Sequence, residues 1–192
     1  MALVTDAIET RIIAILTGGL GSSGMSSAAA AVAIPTGALR PSEHNAPLSD
    51  PQYPMAAFDK AYEIDWTGSE FPVLPDNIDG SALIDFPFDL VLGLVYGDQN
   101  TNFVNTNGWT ITAANQCRRV KKFAPAIAYR ITQALTHPEI VTDQTTDPKI
   151  YDCQPGTTRL EDLNDGRMLV RTSYVMRVQA STLSAYMPTS SS

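Results

Sequence analysis

The chain has 192 residues, is 44% hydrophobic and 17% charged, and carries a formal net charge of -7. That length suits one ordinary domain with a real core. The acidic balance argues against a general nucleic-acid binder, which carries a basic excess. So low a charged share leaves few charges to spread over a surface and favours a chain partly covered by partners.

No apolar run reaches the roughly 18–20 residues that cross a bilayer. The start, Met1-Ala2-Leu3-Val4-Thr5-Asp6, lacks the basic-then-apolar order of a secretory signal. Two cysteines, Cys117 and Cys153, make no disulfide framework. The expectation is a chain made and used in a reducing cytoplasm, with no membrane partner.

In chain order, residues 5–16 read as an amphipathic helix. Ile8, Ile12, Ile15 and Leu16 recur at helical spacing, Thr5 or Asp6 can cap the start, and Gly18-Gly19 can end it. From 18 to 54 the pattern dissolves into a Gly/Ser/Ala tract and then a stretch punctuated by Pro35, Pro41, Pro47, Pro51 and Pro54. The expectation there is an extended arm or loop.

Residues 58–66 alternate as a half-buried strand, with Phe58, Tyr62, Ile64 and Trp66 on one face, interrupted by Lys60, and Asp59, Glu63 and Asp65 on the other. Residues 85–96 predict a second strand, with Phe88, Leu90, Leu92, Leu94 and Tyr96 in line. From about 111 to 135 the period is helical again. Cys117, Val120, Ala124, Ile127, Ala128, Ile131 and Leu135 form an apolar stripe opposite Arg118, Arg119, Lys122 and Arg130.

Pro125 should kink or split this helix, and His137-Pro138 should stop it. A hairpin follows: one strand over 149–160, a turn at Asn164-Asp165-Gly166, and a cleanly alternating strand from Met168 to Val178. The fold expected is α+β: a single domain over 1–180 with a four-stranded, mostly antiparallel sheet and helices on one face. A flexible tail is expected over 181–192.

The sharpest chemical motif is Gly19-Leu20-Gly21-Ser22-Ser23-Gly24, which fits the G-x-G-x-x-G dinucleotide pattern if 12–16 is a strand and 25–32 a helix. Such a site also needs an acid about 20 residues on, at the end of a second parallel strand. Here that region is bounded by Pro35 and Pro47, and Glu43 sits in a loop. No Gly-Lys-Ser/Thr follows any glycine cluster, which excludes a P-loop.

His44 and His137 have no Cys or His at ligand spacing, so no metal site is expected. Cys117 falls on an apolar stripe and reads as a buried thiol; its long helical separation from His137 speaks against a catalytic pair. Glu161, Asp162 and Asp165 lack the alternating spacing of a calcium loop and read as a solvated turn. Glu63 and Asp65 share a strand face, as acids on a wet face ordinarily do. No catalytic residue, cofactor or metal is therefore expected.

Charge is segregated along the chain. From 59 to 98 the acids Asp59, Glu63, Asp65, Glu70, Asp76, Asp79, Asp85, Asp89 and Asp98 face one base, Lys60. From 99 to 138 there are no acids, while Arg118, Arg119, Lys121, Lys122 and Arg130 appear. In a head-to-tail ring, an acidic surface and a basic helix face meet across each subunit boundary. Alternatively the charges pair within one subunit or face water.

The order of elements resembles the tail-terminator and tail-completion (neck) proteins of long-tailed, lambda-like bacteriophages. The residues that carry the likeness are the opening helix from Thr5 to Ile12, the helix around Arg118-Arg119-Val120-Lys121-Lys122, and the closing strand from Leu169 to Val178. The resemblance implies a virion protein, assembled in the host cytoplasm, forming a ring of typically six subunits that caps the tail tube and meets the head-side connector. Passing genomic DNA would not be bound specifically, since acidic loops lining a lumen repel it. The long 18–54 segment and the proline-interrupted helix depart from the usual pattern. The candidate subunit interface is Arg118, Arg119, Lys122 and Arg130 against Asp59, Glu63 and Asp65. Two alternatives from other classes are a nucleotide-binding enzyme using Gly19–Gly24 and a monomeric adaptor module.

Overall fold

A computed structural model of the chain describes residues 4–21, 23–43, 46–67, 73–75, 82–95, 102–103, 111–112, 116–145 and 148–180. The elements run α1 (Val4–Leu16), α2 (Ser27–Val32), β1 (Arg40–Pro41), α3 (Met55–Phe58), β2 (Ala61–Trp66), β3 (Val73–Pro75) and β4 (Ala82–Val95). They continue with β5 (Asn102–Phe103), β6 (Ile111–Thr112), α4 (Gln116–Thr136), α5 (Pro138–Val141), β7 (Lys149–Asp162) and β8 (Arg167–Ala180). The chain is α+β, and its principal sheet is mixed. Five strands run in the order β1-β2-β4-β8-β7, short β3 pairs with β4, and β5 with β6 forms a separate ribbon.

All four expected strands are present. The sheet exceeds four because β1 lies parallel to β2 at one margin and β3 lies alongside β4; two- and three-residue strands carry no readable alternation. The sheet's centre is the 14-residue β4 paired antiparallel with β8 along its whole length, from Ala82↔Ala180 to Val95↔Arg167. Because side chains alternate, this register puts Ile84, Phe86, Phe88, Leu90, Leu92 and Leu94 beside Met168, Val170, Tyr174, Met176 and Val178 on one face.

That face carries the larger core. Ile8, Ile12, Ile15 and Leu16 of α1, Ala124, Ile127, Ala128, Ile131, Ala134 and Leu135 of α4, and Ile140 and Val141 of α5 are all buried against it. Phe88 stacks on Tyr174 with ring centroids 5.4 Å apart, and the Tyr174 hydroxyl shares a 2.8 Å hydrogen bond with Thr132 of α4. The Gly18-Gly19 stop forms as expected. Gly18 has φ +71°, and a Cβ there would lie 2.5 Å from the Thr36 backbone nitrogen, so only glycine fits.

Helix α4 is one element through Pro125, which is exposed on its outer side. The chain then turns at His137 into α5 with Pro138 in its first turn, a position where the missing N–H costs nothing.

The expected arm over 18–54 is instead laid onto the body. Ala29, Ile34, Ala38 and Leu39 join the larger core, and Leu48 and Tyr53 join a second one. Polar contacts tie it further. Arg130 donates to the Ala31 carbonyl at 3.0 Å, and Ser26 N–H donates to Glu139 at 2.9 Å. Small and proline-rich residues hid this from a periodicity reading, because these contacts need no repeat.

The second core lies on the opposite face, so helices do not cover one face alone. Phe58 at the end of α3 packs there with Leu48, Tyr53, Ala61, Val91, Val95 and Leu169. It does not share a face with Tyr62, Ile64 and Trp66, because Lys60 takes φ +64° and breaks the alternation before β2 begins. Gly93 makes room for this, since a Cβ there would lie 2.6 Å from the Phe58 carbonyl oxygen.

The polar centre of this second core is Arg167, which is 2% exposed. It donates to the carbonyls of Asp50 at 3.0 Å, Tyr53 at 3.3 Å and Pro51 at 3.1 Å, and to the Asp165 carboxylate. Its guanidinium also lies 5.2 Å from the centre of the Phe58 ring. Arg167→Met strands those carbonyls under the loop, so it should lower stability by roughly 3 kcal/mol. Urea denaturation checks this, with Arg167→Lys recovering only part because one ammonium cannot span the fork.

Candidate functional site

The seven candidate interface residues fall in different places. Asp59, Glu63 and Asp65 lie at or on β2, with Glu63 and Asp65 directed to the face opposite the α1–α4 layer, as their pairing with Val91 and Asp89 requires. Arg130 lies on α4, across the sheet from them, half-buried over α2. Arg118, Arg119 and Lys122 sit in the first turns of α4, but their side chains lie outside the described residues. So do the whole residues Glu70, Asp76, Asp79, Asp98 and His44, and the 181–192 segment.

The three acids of the candidate interface make contacts inside the chain. Asp59 accepts from Val95 N–H at 3.1 Å, Glu63 accepts from Leu48 N–H at 3.0 Å, and Asp65 pairs with Arg171 at 3.1 Å. Arg171 also reaches Asp89 at 3.3 Å, and Arg177 makes a two-point pair with Asp85 at 2.8 and 2.9 Å. The acidic strands β2 and β4 are thus answered by arginines of β8, at least in part, by pairing within the subunit.

Sequence reading placed Arg171 and Arg177 on the alternating strand but could not supply the β4–β8 register that sets Arg177 opposite Asp85. Ion pairs this exposed contribute roughly 0–1 kcal/mol each. Their larger effect is on register, since a one-residue slip would put arginines into the core.

The outer strand β7 is the other candidate surface. It is the last strand of the sheet, and among the described residues only Asp143 bridges its outer side, at Ile150. Every residue from 154 to 161 is exposed. Leu160 and Tyr151 are 44% and 40% exposed, and on α4 Tyr129 is 65% exposed. Irregularities between Ile150 and Asp152 and between Pro155 and Thr158 twist the strand, a common way for an edge to limit indiscriminate pairing.

The strand–turn–helix arrangement that the dinucleotide pattern requires is not formed among the described residues around the glycine motif. Residues 12–16 are the end of helix α1, not a strand. The backbone amide of Ser26, the residue capping α2, is already taken by the Glu139 carboxylate, whose pKa these bonds to Ser26 lower. A cavity of about 240 Å³ beside the glycines is lined by Ile15, Leu20, Met25, Ile34 and Ile140 among others, none of them charged.

Cys153 is a buried free thiol pushed up to about 12 by burial and secondarily by Asp152, which keeps it protonated and inert. The side chain of Cys117 lies outside the described residues. Among the described residues no group of three or more His, Cys, Asp or Glu could hold a metal ion. No helix among them is long and apolar enough to cross a membrane.

The hydrogen bond from Arg177 is the main cause holding the Asp85 carboxyl below its ordinary value, and Arg167 does the same for Asp165. A carboxyl with a depressed folded pKa adds stability that is complete above its unfolded pKa and is lost as pH falls through the folded one. Urea midpoints should therefore hold level from neutral pH to about 4 and decline below it, with a shallower decline in Asp85→Asn. Compared with models of known protein families and with curated proteins, the sequence matches none.

Proposed function

We propose that the chain is a non-enzymatic virion subunit that joins copies of itself into a ring, six-membered by resemblance, at the tail end or head–tail junction of a long-tailed bacteriophage. It would act as a tail terminator or neck protein. The observation that carries the assembly reading is β7. A 14-residue outer strand with exposed Tyr151 and Leu160 offers a row of backbone donors and acceptors plus apolar contact area, and such an edge accepts another chain's backbone.

Support for the position in the virion comes from the order of elements, an opening helix, a central helix and a closing hairpin strand. A closed ring satisfies every such edge with a head-to-tail contact. Tail tube and head-side connector proteins are its proposed neighbours, and genomic DNA would pass through without specific binding. Because Asp59, Glu63 and Asp65 already have partners within the chain, charge complementarity with the Arg118, Arg119 and Lys122 segment serves to orient neighbours and β7 supplies the adhesion.

Leu160→Asp should weaken assembly at least tenfold in sedimentation velocity while leaving the thermal midpoint of the subunit within about 2 °C, since the site is exposed. Arg118, Arg119 and Lys122 all changed to Glu should slow assembly and reduce its salt dependence. Unchanged association in both variants would contradict the reading and favour a monomeric adaptor.

A further inference from the structure

Strand β7 is regular over its final stretch. From Thr158↔Thr172 to Asp162↔Met168 its register with β8 runs unbroken, beyond the irregularity between Pro155 and Thr158. Just past the strand, Leu163 N–H donates inward to the Arg167 carbonyl at 3.0 Å. Backbone direction alternates along a strand, so Glu161 and Arg159 also bond to β8, while Leu160 and Thr158 turn their N–H and C=O outward. Pro155, with no N–H to give, bounds the open stretch on one side, and the Asn164-Asp165-Gly166 turn bounds it on the other.

The charges on this stretch have a particular order. Arg159 and Glu161 share one face, and both are exposed. Among the described residues, neither side chain has a hydrogen bond or an ion pair. Across the ladder Arg159 stands opposite Arg171, and Glu161 stands opposite Leu169. Like charges directly opposite each other repel, and Arg171 is already paired with Asp65 and Asp89. Beside an open row of backbone groups, an arginine and a glutamate are thus left to be answered from outside.

A second copy of the same stretch answers both. Two β7 strands running antiparallel about a two-fold axis at Leu160 let Leu160 exchange both outward bonds with the partner's Leu160. The 44% exposed leucine gains an apolar neighbour in the same contact. Arg159 then stands opposite the partner's Glu161, and Glu161 opposite the partner's Arg159. These are the non-hydrogen-bonded positions, where cross-strand side chains come closest. Sliding the pair by two residues, the smallest step that keeps the outward groups facing, sets Arg159 against the partner's Arg159 or Glu161 against the partner's Glu161. A parallel copy in register does the same. The charge order therefore selects one direction and one register, and the strand it selects is its own copy.

We propose that free copies of the chain pair through residues 158–162 of β7 as a two-fold dimer, with one sheet continuous across both subunits. This rests on the reading of β7 as the adhesive edge and does not need the ring. A ring uses the same edge head-to-tail, so the dimer is the resting form that a subunit leaves when it joins its ring neighbours.

Sedimentation velocity of the full chain over a wide concentration range tests this. Arg159→Glu and Glu161→Arg should each weaken the dimer about tenfold or more, because both cross-strand pairs turn repulsive at once. The variant carrying both changes restores opposite charges and should return to within about threefold of the original affinity. A mixture of the two single variants should form a heterodimer. Their thermal midpoints should fall by no more than about 2 °C, since both sites are exposed. Amide exchange at Leu160 should slow as the dimer forms, while that at Glu161, already bonded to β8, should not change.

The proposal is overturned by a chain that stays monomeric until rings appear, by undiminished dimers in both single variants, or by a double variant as weak as the singles. A dimer that obeys the charge swap while no rings form beside added tail tubes upholds it and removes the ring. Rings formed without any such dimer do the reverse.

Discussion

Arg167 is a full charge that is 2% exposed, and what surrounds it explains how a glycine- and proline-rich segment becomes part of the fold. Its five donors reach three carbonyls of one loop, those of Asp50, Pro51 and Tyr53, and the carboxylate of Asp165 in the β7–β8 turn. A loop with few large apolar residues cannot bury enough area to hold itself in place. A planar fork that satisfies its backbone from below can. With the loop fixed, Leu48, Tyr53 and Phe58 close over Val91, Val95 and Leu169, and the sheet gains a second, smaller core on the face that would otherwise be wet.

The same face shows how charge is used. Its open part carries Asp65, Asp85 and Asp89 against Arg171 and Arg177. These pairs add little stability individually, but they oppose any register other than the one that buries Phe88 against Tyr174. An acidic run and a basic run far apart in sequence suggested two surfaces meeting between subunits. Part of the acid is instead balanced locally, by a strand whose arginines are interleaved with core residues. The proposed assembly would then draw on groups left over after that pairing, chiefly the exposed length of β7 and Tyr129 on α4.

Much of the scaffold was legible because it obeys a period. The Ile8, Ile12, Ile15 and Leu16 stripe, the Ala124 to Leu135 stripe and the alternation of β8 each place their residues in the core as expected. What was not legible depends on contacts distant in sequence. Nothing local marks Lys60 as the left-handed residue that sends Phe58 to the far side, although the break in alternation there was its trace. Nothing marks Arg167 as buried either, since an arginine after Asp-Gly reads as the solvated end of a turn. The glycine motif failed in the other direction, matching a pattern whose preceding strand is a helix.

A partnered acidic face and a long open edge on β7 are the features on which the proposed assembly rests, and the central claim is that copies of the chain complete that edge. The most direct measurement is the mass of the purified chain by multi-angle light scattering over a wide concentration range, with negative-stain images of the same samples. Closed rings with a mass that is an integral multiple of the 20.7 kDa chain are the expected result. A single monomeric species at every concentration, with no rings beside added tail tubes, would contradict it.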